Sequence, residues 1–360
     1  MALRGVRVIA VAVSALVLVG ALAAASVASP TSSSLRADSS LYAGALTSSP
    51  SASLDAMRLR AAPITWRGGP ITTSTGETVT VRVSDSVPAD VATPEGWAEF
   101  FAGLTHGPEL SLLTAYIATF EEVQDVCGER ALGCYGNDQL FVPAEIPSPD
   151  TTVEEVVRHE YGHHVAFHRT NAPWVAVDWG PKRWASVADV CARATRKEAF
   201  PGDEGLNYAL NPGEAWAEVY RLMDERKAGI ATASWPIIDL SFYPSEIGLQ
   251  AAERDVLQPW TASTRSIYSR SFAKGSKKAW WIRLATTLDG EFQISATVPR
   301  GSNPEVALVG ADRKSVVKRA QWIGQRVKRL EGSVCGQRAQ FLRITPRGAA
   351  GSVRVSVALP

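Results

Sequence analysis

The sequence predicts an α+β chain in two parts: a small mixed sheet carrying two functional helices, then an all-β sandwich. Three observations carry this. A capped helical stretch starts near residue 151, and four of the five histidines fall between positions 159 and 168. From about Ala262 the chain breaks into short β-rich runs separated by Gly and Pro, the texture of a small sandwich. Charge divides at the same place, because residues 261–360 hold 18 Lys and Arg against five Asp and Glu.

The 360 residues sum to only +1. With the first 56 residues set aside, residues 57–260 carry −13 and the last hundred carry +13. A neutral total therefore excludes no anionic partner. Hydrophobic content of 46% excludes a globally disordered chain. Four cysteines are too few for a miniprotein built on disulfides.

Each segment can be justified in turn. Residues 1–28 hold Arg4 and Arg7, an uncharged apolar run, and Ser26-Val27-Ala28 as a small-residue cleavage site. That is a secretory signal, so the chain is expected to be secreted to an extracellular setting, with an uncleaved membrane anchor as the alternative. Residues 29–56 contain ten Ser and read as a linker or propeptide. No Cys in that stretch could cap a metal, so masking by it would be steric.

Residues 57–260 are expected to form the first domain. Glu77 to Val83 alternates and reads as a strand, Pro94 to Leu104 as a helix opened by proline, and Leu112 to Thr119 as a second strand. Glu121 to Val126 reads as helical, and Gln139 to Pro143 as a short strand. In residues 261–360, strands are expected at 280–284, 291–298, 305–309, 339–344 and 352–359.

The chemistry lies in Thr151-Thr152-Val153-Glu154-Glu155-Val156-Val157-Arg158-His159-Glu160-Tyr161-Gly162-His163-His164. Each Thr has a Glu three residues on, a capping box that starts a helix. Positions four apart on a helix differ by about 40°, so His159 and His163 point the same way and can share one metal ion. Glu160 stands beside the first of them, within reach of a metal-bound water. This is the HExxH arrangement of zinc peptidases. Such a site needs a third protein ligand and an open position for water. His164 and His168 lie about 140° and 180° round the helix from His159 and cannot join the same ion. Both read as helix-surface or substrate-side residues.

The third ligand comes from Asn211-Pro212-Gly213-Glu214-Ala215-Trp216-Ala217-Glu218. Asn211 is a good N-cap, and Pro212 suits the first helical position. Glu214 and Glu218 share one face. One can bind the metal while the other orients an imidazole.

HExxH with a downstream Glu helix resembles the gluzincin group of zinc metallopeptidases. Asn207-Tyr208-Ala209 followed by Glu214-Ala215-Trp216-Ala217-Glu218 is similar to the catalytic domain of anthrax lethal factor. The resemblance implies a zincin-like fold, Glu214 as third zinc ligand, Glu218 in support, and Tyr208 as the group that polarises the scissile carbonyl. The C-terminal strands are similar to the prepeptidase C-terminal β-sandwiches of secreted bacterial peptidases.

The expectation is thus a zinc metalloendopeptidase with a Zn2+ cofactor, acting on protein or peptide as a monomer. A zinc amidase acting on cell wall is one alternative, and an inactive zincin scaffold that binds a surface or partner is another. Cys127 and Cys134 should close a local disulfide in an exported protein. Cys191 and Cys335 either pair across the domains or stay unpaired. His106 reads as a loop residue, and Asp203-Glu204 as a solvated turn rather than a calcium site. Lys314, Lys318, Arg319, Arg326, Lys328 and Arg329, around Trp322, read either as a solvated basic face or as a surface for an anionic cell-surface polymer. No base-reading motif for nucleic acid is present. The charge split predicts that residues 261–360 on their own bind an anionic matrix and are released by salt, while residues 57–260 do not. Retention that ignores salt, or no retention, sinks that expectation. The alternative is that the two halves dock on each other through these charges.

Overall fold

Val79, Val81 and Val83 project to one side of an extended run and are all fully buried. They set the inner face of the first sheet. The structure is a computed structural model that describes residues 64–148, 150–230, 235, 237–336 and 339–360. The expected signal (1–28) and linker (29–56) lie outside the described residues.

The sheet is built from β1 (Trp66–Thr72), β2 (Thr78–Ser84), β3 (Thr114–Ala118), β4 (Cys134–Gly136) and β5 (Gln139–Pro143), in the order β1-β2-β3-β5-β4. The β2–β3 and β3–β5 pairs are parallel, while β1–β2 and β4–β5 are antiparallel. The parallel pairs need crossovers, supplied by α1 (Pro94–Gly103) and α2 (Phe120–Cys127). Thr93 caps α1 ahead of Pro94, and Thr119 with Glu122 forms a capping box on α2. On the outer face Tyr116 stacks on Phe141 with ring centroids 4.4 Å apart. The Cys127–Cys134 disulfide joins the end of α2 to the edge strand β4 beside them.

The expected strands over 77–83, 112–119 and 139–143 are β2, β3 and β5 with shifts of a residue or two. β1 and β4 were not expected. β1 is rich in Gly and Pro, and β4 is only three residues long. Tertiary pairing, not propensity, makes them strands.

On the inner face α1 packs against β1 and β2, and α3 (Val153–Phe167) against β4 and β5. The remaining helices are α4 (Ala176–Trp179), α5 (Lys182–Val187), α6 (Val190–Thr195), α7 (Pro212–Lys227), which packs on α3, and α8 (Glu246–Leu257), which packs on α5 and α7. Of the two candidate capping boxes on α3, the structure uses Thr152 with Glu155. Asn211 caps α7 with Pro212 at the first helical position. These two helices cross closely at Gly162. A Cβ there would stand 2.8 Å from the Ala217 Cα. At the same crossing Trp216 Nε1 donates to the Gly162 oxygen at 2.8 Å.

From Thr264 the described chain is all β. One sheet runs β10-β9-β13-β7 and the other β11-β12-β8-β14-β6. Their strands are β6 (Thr264–Phe272), β7 (Trp280–Ala285), β8 (Gly290–Thr297), β9 (Glu305–Val309), β10 (Val316–Arg319), β11 (Gln321–Trp322), β12 (Val327–Val334), β13 (Ala339–Thr345) and β14 (Gly351–Leu359). Ile282, Leu284, Ile294, Leu308, Leu342, Ile344 and Val355 fill the space between them. The five expected strands are present within a residue of their bounds. β6, β10, β11 and β12 were not expected; in β12 the inward positions include Lys328 and Gly332, which hide the apolar alternation. Gly332 leaves room for the Phe292 ring, whose nearest atom is 2.7 Å from where a Cβ would be. Lys328 is not part of an open basic face. It is buried with its ammonium 4.6 Å from the centre of the Trp322 ring, and burial lowers its pKa.

The two regions are linked covalently and by hydrogen bonds. Cys191 of α6 pairs with Cys335, just past β12. Lys182 Nζ donates to the main-chain oxygens of Ala172 at 2.6 Å and Asp289 at 2.8 Å.

The crossing generates a signed prediction. At an exposed mid-helix site Gly→Ala gains about 1 kcal/mol of helix propensity. Here overpacking against backbone, typically about 1–3 kcal/mol, should outweigh that gain and leave a net cost of up to about 2 kcal/mol. Gly162→Ala should therefore unfold at lower denaturant than the parent. An unchanged or higher midpoint would mean that the crossing tolerates the methyl.

Candidate metal centre

Helix α3 brings His159 and His163 onto the side facing α7, as their spacing requires. His159 Nε2 lies 3.3 Å from His163 Nε2 and 3.2 Å from Glu214 Oε2. Glu214 Oε1 lies 3.4 Å from His163 Nε2. The three donor atoms thus face one point, supplied by residues 55 positions apart in the chain.

Glu218, one turn along α7, accepts from His159 Nδ1 at 2.9 Å. That contact protonates Nδ1 and turns the Nε2 lone pair toward Glu214 and His163. Glu218 is itself held by Arg221, whose Nη2 donates at 2.7 Å. Arg221 Nη1 also donates to both Glu225 carboxylate oxygens at 3.0 Å. Burial opposes ionisation of Glu218, but the Arg221 charge and the His159 contact outweigh it and hold its carboxyl at about 2.

The donor set fits a cation. Two imidazole Nε2 atoms and a carboxylate converge in a buried space. Without a cation a proton must sit between them. Burial alone would lower the His159 pKa, but Glu214 and Glu218 outweigh it and raise it to about 10. Burial likewise opposes ionisation of Glu214, while His163 and His159 hold its carboxyl below the usual range. A divalent ion can replace the proton on the same donors. Nitrogen and carboxylate ligands in this number suit zinc.

Glu160 is buried beside this cluster. Burial raises its carboxyl pKa, against the opposing pull of His159 and His163. Gly133, just before β4, leaves it room, because a Cβ there would stand 3.2 Å from both Glu160 Cγ and Oε1. Tyr208 is also buried here, and its hydroxyl donates to Glu214 Oε2 at 2.6 Å. It lies in a 3-10 turn (Tyr208–Leu210) directly before α7.

Two readings of the sequence need correction. His164 is not on the helix surface. It is fully buried against Tyr135, Tyr161 and the Glu109 main-chain oxygen, and burial lowers its pKa to about 4. His168 is partly buried and lies 2.6 Å from Asp138 Oδ1. Of the Asp203-Glu204 turn, Asp203 accepts from the Gly205 and Asn207 amides, as a local turn should. Glu204 instead turns inward to accept from the Asn211 side chain at 2.8 Å. Burial, with the charge of Glu214 adding, raises its pKa to about 9. His106 does lie in a loop, with Nε2 3.3 Å from Glu77.

Gly133, Gly162, Arg221 and Glu204 went unremarked as parts of the site. Only Arg221 had a sequence signal, standing three residues after Glu218 and four before Glu225 on one helix.

No protein-family model matches the chain, and no curated protein matches it. Among solved structures, the pre-peptidase C-terminal domain of a collagenase from Bacillus anthracis is similar at 14% identity. That likeness covers 26% of this chain and 88% of the other, with a TM-score of 0.22. The IMPa metallopeptidase from Pseudomonas aeruginosa is similar at 10% identity over 48% of this chain, with a TM-score of 0.17. IMPa in complex with T-antigen is similar at 9% identity over 84% of this chain, with a TM-score of 0.16. The chain spans 22% and 52% of those two IMPa chains.

The Glu218 contact predicts a graded loss. Glu218→Ala should weaken binding of a divalent metal at these donors about 10–100-fold, the usual effect of removing a group that orients a metal-binding histidine. Competition with a chelator reads this directly, and unchanged affinity would remove Glu218 from the site.

Proposed function

We propose that this chain is a secreted, zinc-dependent metallopeptidase of gluzincin type, with a zincin-like catalytic domain over residues 57–260 and an appended sandwich over 261–360. The observation that carries the reading is the convergence of His159, His163 and Glu214 on one point, with Glu160 on the same helix and Glu218 behind His159. A binding scaffold would need no buried carboxylate beside such a point.

His159, His163 and Glu214 would hold the ion. Zinc supplies Lewis acidity there and lowers the pKa of water towards about 7. Glu160 acts as general base, taking the proton of the attacking water, and then delivers it to the leaving amine. Its raised pKa suits both halves of that transfer. Tyr208, whose hydroxyl rests on Glu214, would turn to donate a hydrogen bond to the oxyanion that develops on the scissile carbonyl. Glu218 and Arg221 keep His159 in one tautomer throughout. The buried surroundings of Glu160 strengthen these contacts by limiting water.

The test uses the protein expressed with and without Glu160→Ala. Zinc content should be equal, while casein cleavage should fall about 10²–10⁴-fold, the range for loss of a general base. Wild type that binds no zinc would falsify the reading. Bound zinc with no peptide cleavage, but with release of fragments from peptidoglycan, would replace it with an amidase.

A further inference from the structure

His164 near the end of helix α3 and His168 at its C-cap are a second pair of histidines four residues apart, and these face a different element. The side chain of His164 is completely enclosed. Its Nε2 meets the Glu109 main-chain oxygen at 2.9 Å. A carbonyl only accepts, so Nε2 must carry the proton and Nδ1 must present a lone pair. That lone pair faces Asp138 Oδ1 at 3.5 Å and Tyr135 Oη at 3.1 Å. His168 Nε2 lies 2.6 Å from the same Asp138 oxygen.

Asp138 sits at the tip of the β4–β5 hairpin. Its φ is 61° and that of Asn137 is 50°, the left-handed pair of a two-residue turn. Glycine is the default at the second of these positions, because a side chain there strains the backbone. An aspartate in its place puts a carboxylate over α3. Tyr135 braces it, accepting from the Asp138 amide at 3.2 Å and lying 3.4 Å from Oδ1.

We propose that Asp138, His164 and His168 form a second divalent transition-metal site, which ties the tip of the β4–β5 hairpin to the end of helix α3. The three donor atoms lie within 4.8 Å of one another. Two of them, His164 Nδ1 and Asp138 Oδ1, are acceptors turned toward each other at 3.5 Å; the Tyr135 hydroxyl reaches the first, and His168 Nε2 reaches the second at 2.6 Å. A cation can take the place of both protons, bound by His164 Nδ1, Asp138 Oδ1 and the deprotonated His168 Nε2. The carbonyl behind His164 Nε2 is the kind of partner that metal-bound imidazoles ordinarily have. Two nitrogens and one carboxylate suit zinc, cobalt or nickel better than calcium or magnesium. His168 and Asp138 keep 20% and 36% of their side-chain surface exposed, which leaves an entry path and room for water ligands. The ion would act structurally. It would brace the edge strand that follows Gly133, the residue packed against Glu160.

The site is independent of the one that the proposed activity uses, and the test keeps them apart. The full chain is equilibrated with Zn2+, cleared of excess by gel filtration, and assayed for metal by mass spectrometry. Wild type should hold two equivalents. His159→Asn with His163→Asn should keep one, and Asp138→Asn with His168→Asn should lose one relative to its parent. Zinc content that is unchanged by the Asp138 and His168 substitutions would overturn the proposal, whatever happens at His159. If either variant fails to fold, crystals of wild type soaked in Zn2+ decide the matter at the zinc absorption edge. An anomalous peak between Asp138, His164 and His168 supports the site, and its absence there overturns it.

Discussion

Everything at the centre depends on how closely α3 approaches α7. Gly162 and Ala217 meet almost backbone to backbone, and the Trp216 indole locks the contact by bonding the Gly162 oxygen. This distance decides whether a glutamate on one helix can reach histidines on the other. With a larger residue at the crossing, Glu214 and Glu218 would still share a face of α7. They would no longer stand within about 3 Å of both imidazole edges of His159, the range that a hydrogen bond or a shared cation requires.

The same closeness forces charges into the interior, and the structure compensates by chaining them. His159 is held by Glu218, Glu218 by Arg221, and Arg221 by Glu225. Beside this chain Arg158 donates to Asp224 at 2.9 Å, and Asp224 also accepts from the Thr105 amide at 2.7 Å. Buried ion pairs of this kind add little net stability, since desolvation offsets attraction. Breaking one leaves an uncompensated charge and costs about 3–5 kcal/mol. Their value lies in fixing one arrangement, so that a histidine tautomer and a carboxylate position are set by the fold itself.

Away from the centre, the two regions of opposite charge are held by more than electrostatics. The Cys191–Cys335 bond and the Lys182 ammonium on two main-chain oxygens tie the short helices α5 and α6 to the sandwich. Lys182 lies near the Trp174 and Trp260 rings, and burial lowers its pKa to about 8. Within the +13 of the last hundred residues, Lys328 is enclosed against Trp322 and so does not face solvent with the rest.

Legibility followed the range of the physics. The capping boxes, the one-turn spacing of His159 and His163, and the shared face of Glu214 and Glu218 all involve partners within four residues, so helix geometry alone gives their relation. Strands with clean alternation, such as β2 and β13, were legible for the same reason. What could not be read were relations between distant positions: Gly162 under Ala217, Gly133 making room for Glu160, Glu204 turning inward, and Asp138 reaching over α3 to His164 and His168. β1, β4 and β12 belong with these, because their residues pair only once a neighbouring strand is in place. The sequence on its own settles which side chains can meet along one helix or one strand. Which helices and strands then meet is decided by packing, where a missing Cβ at one crossing sets the distance across which every other group must reach.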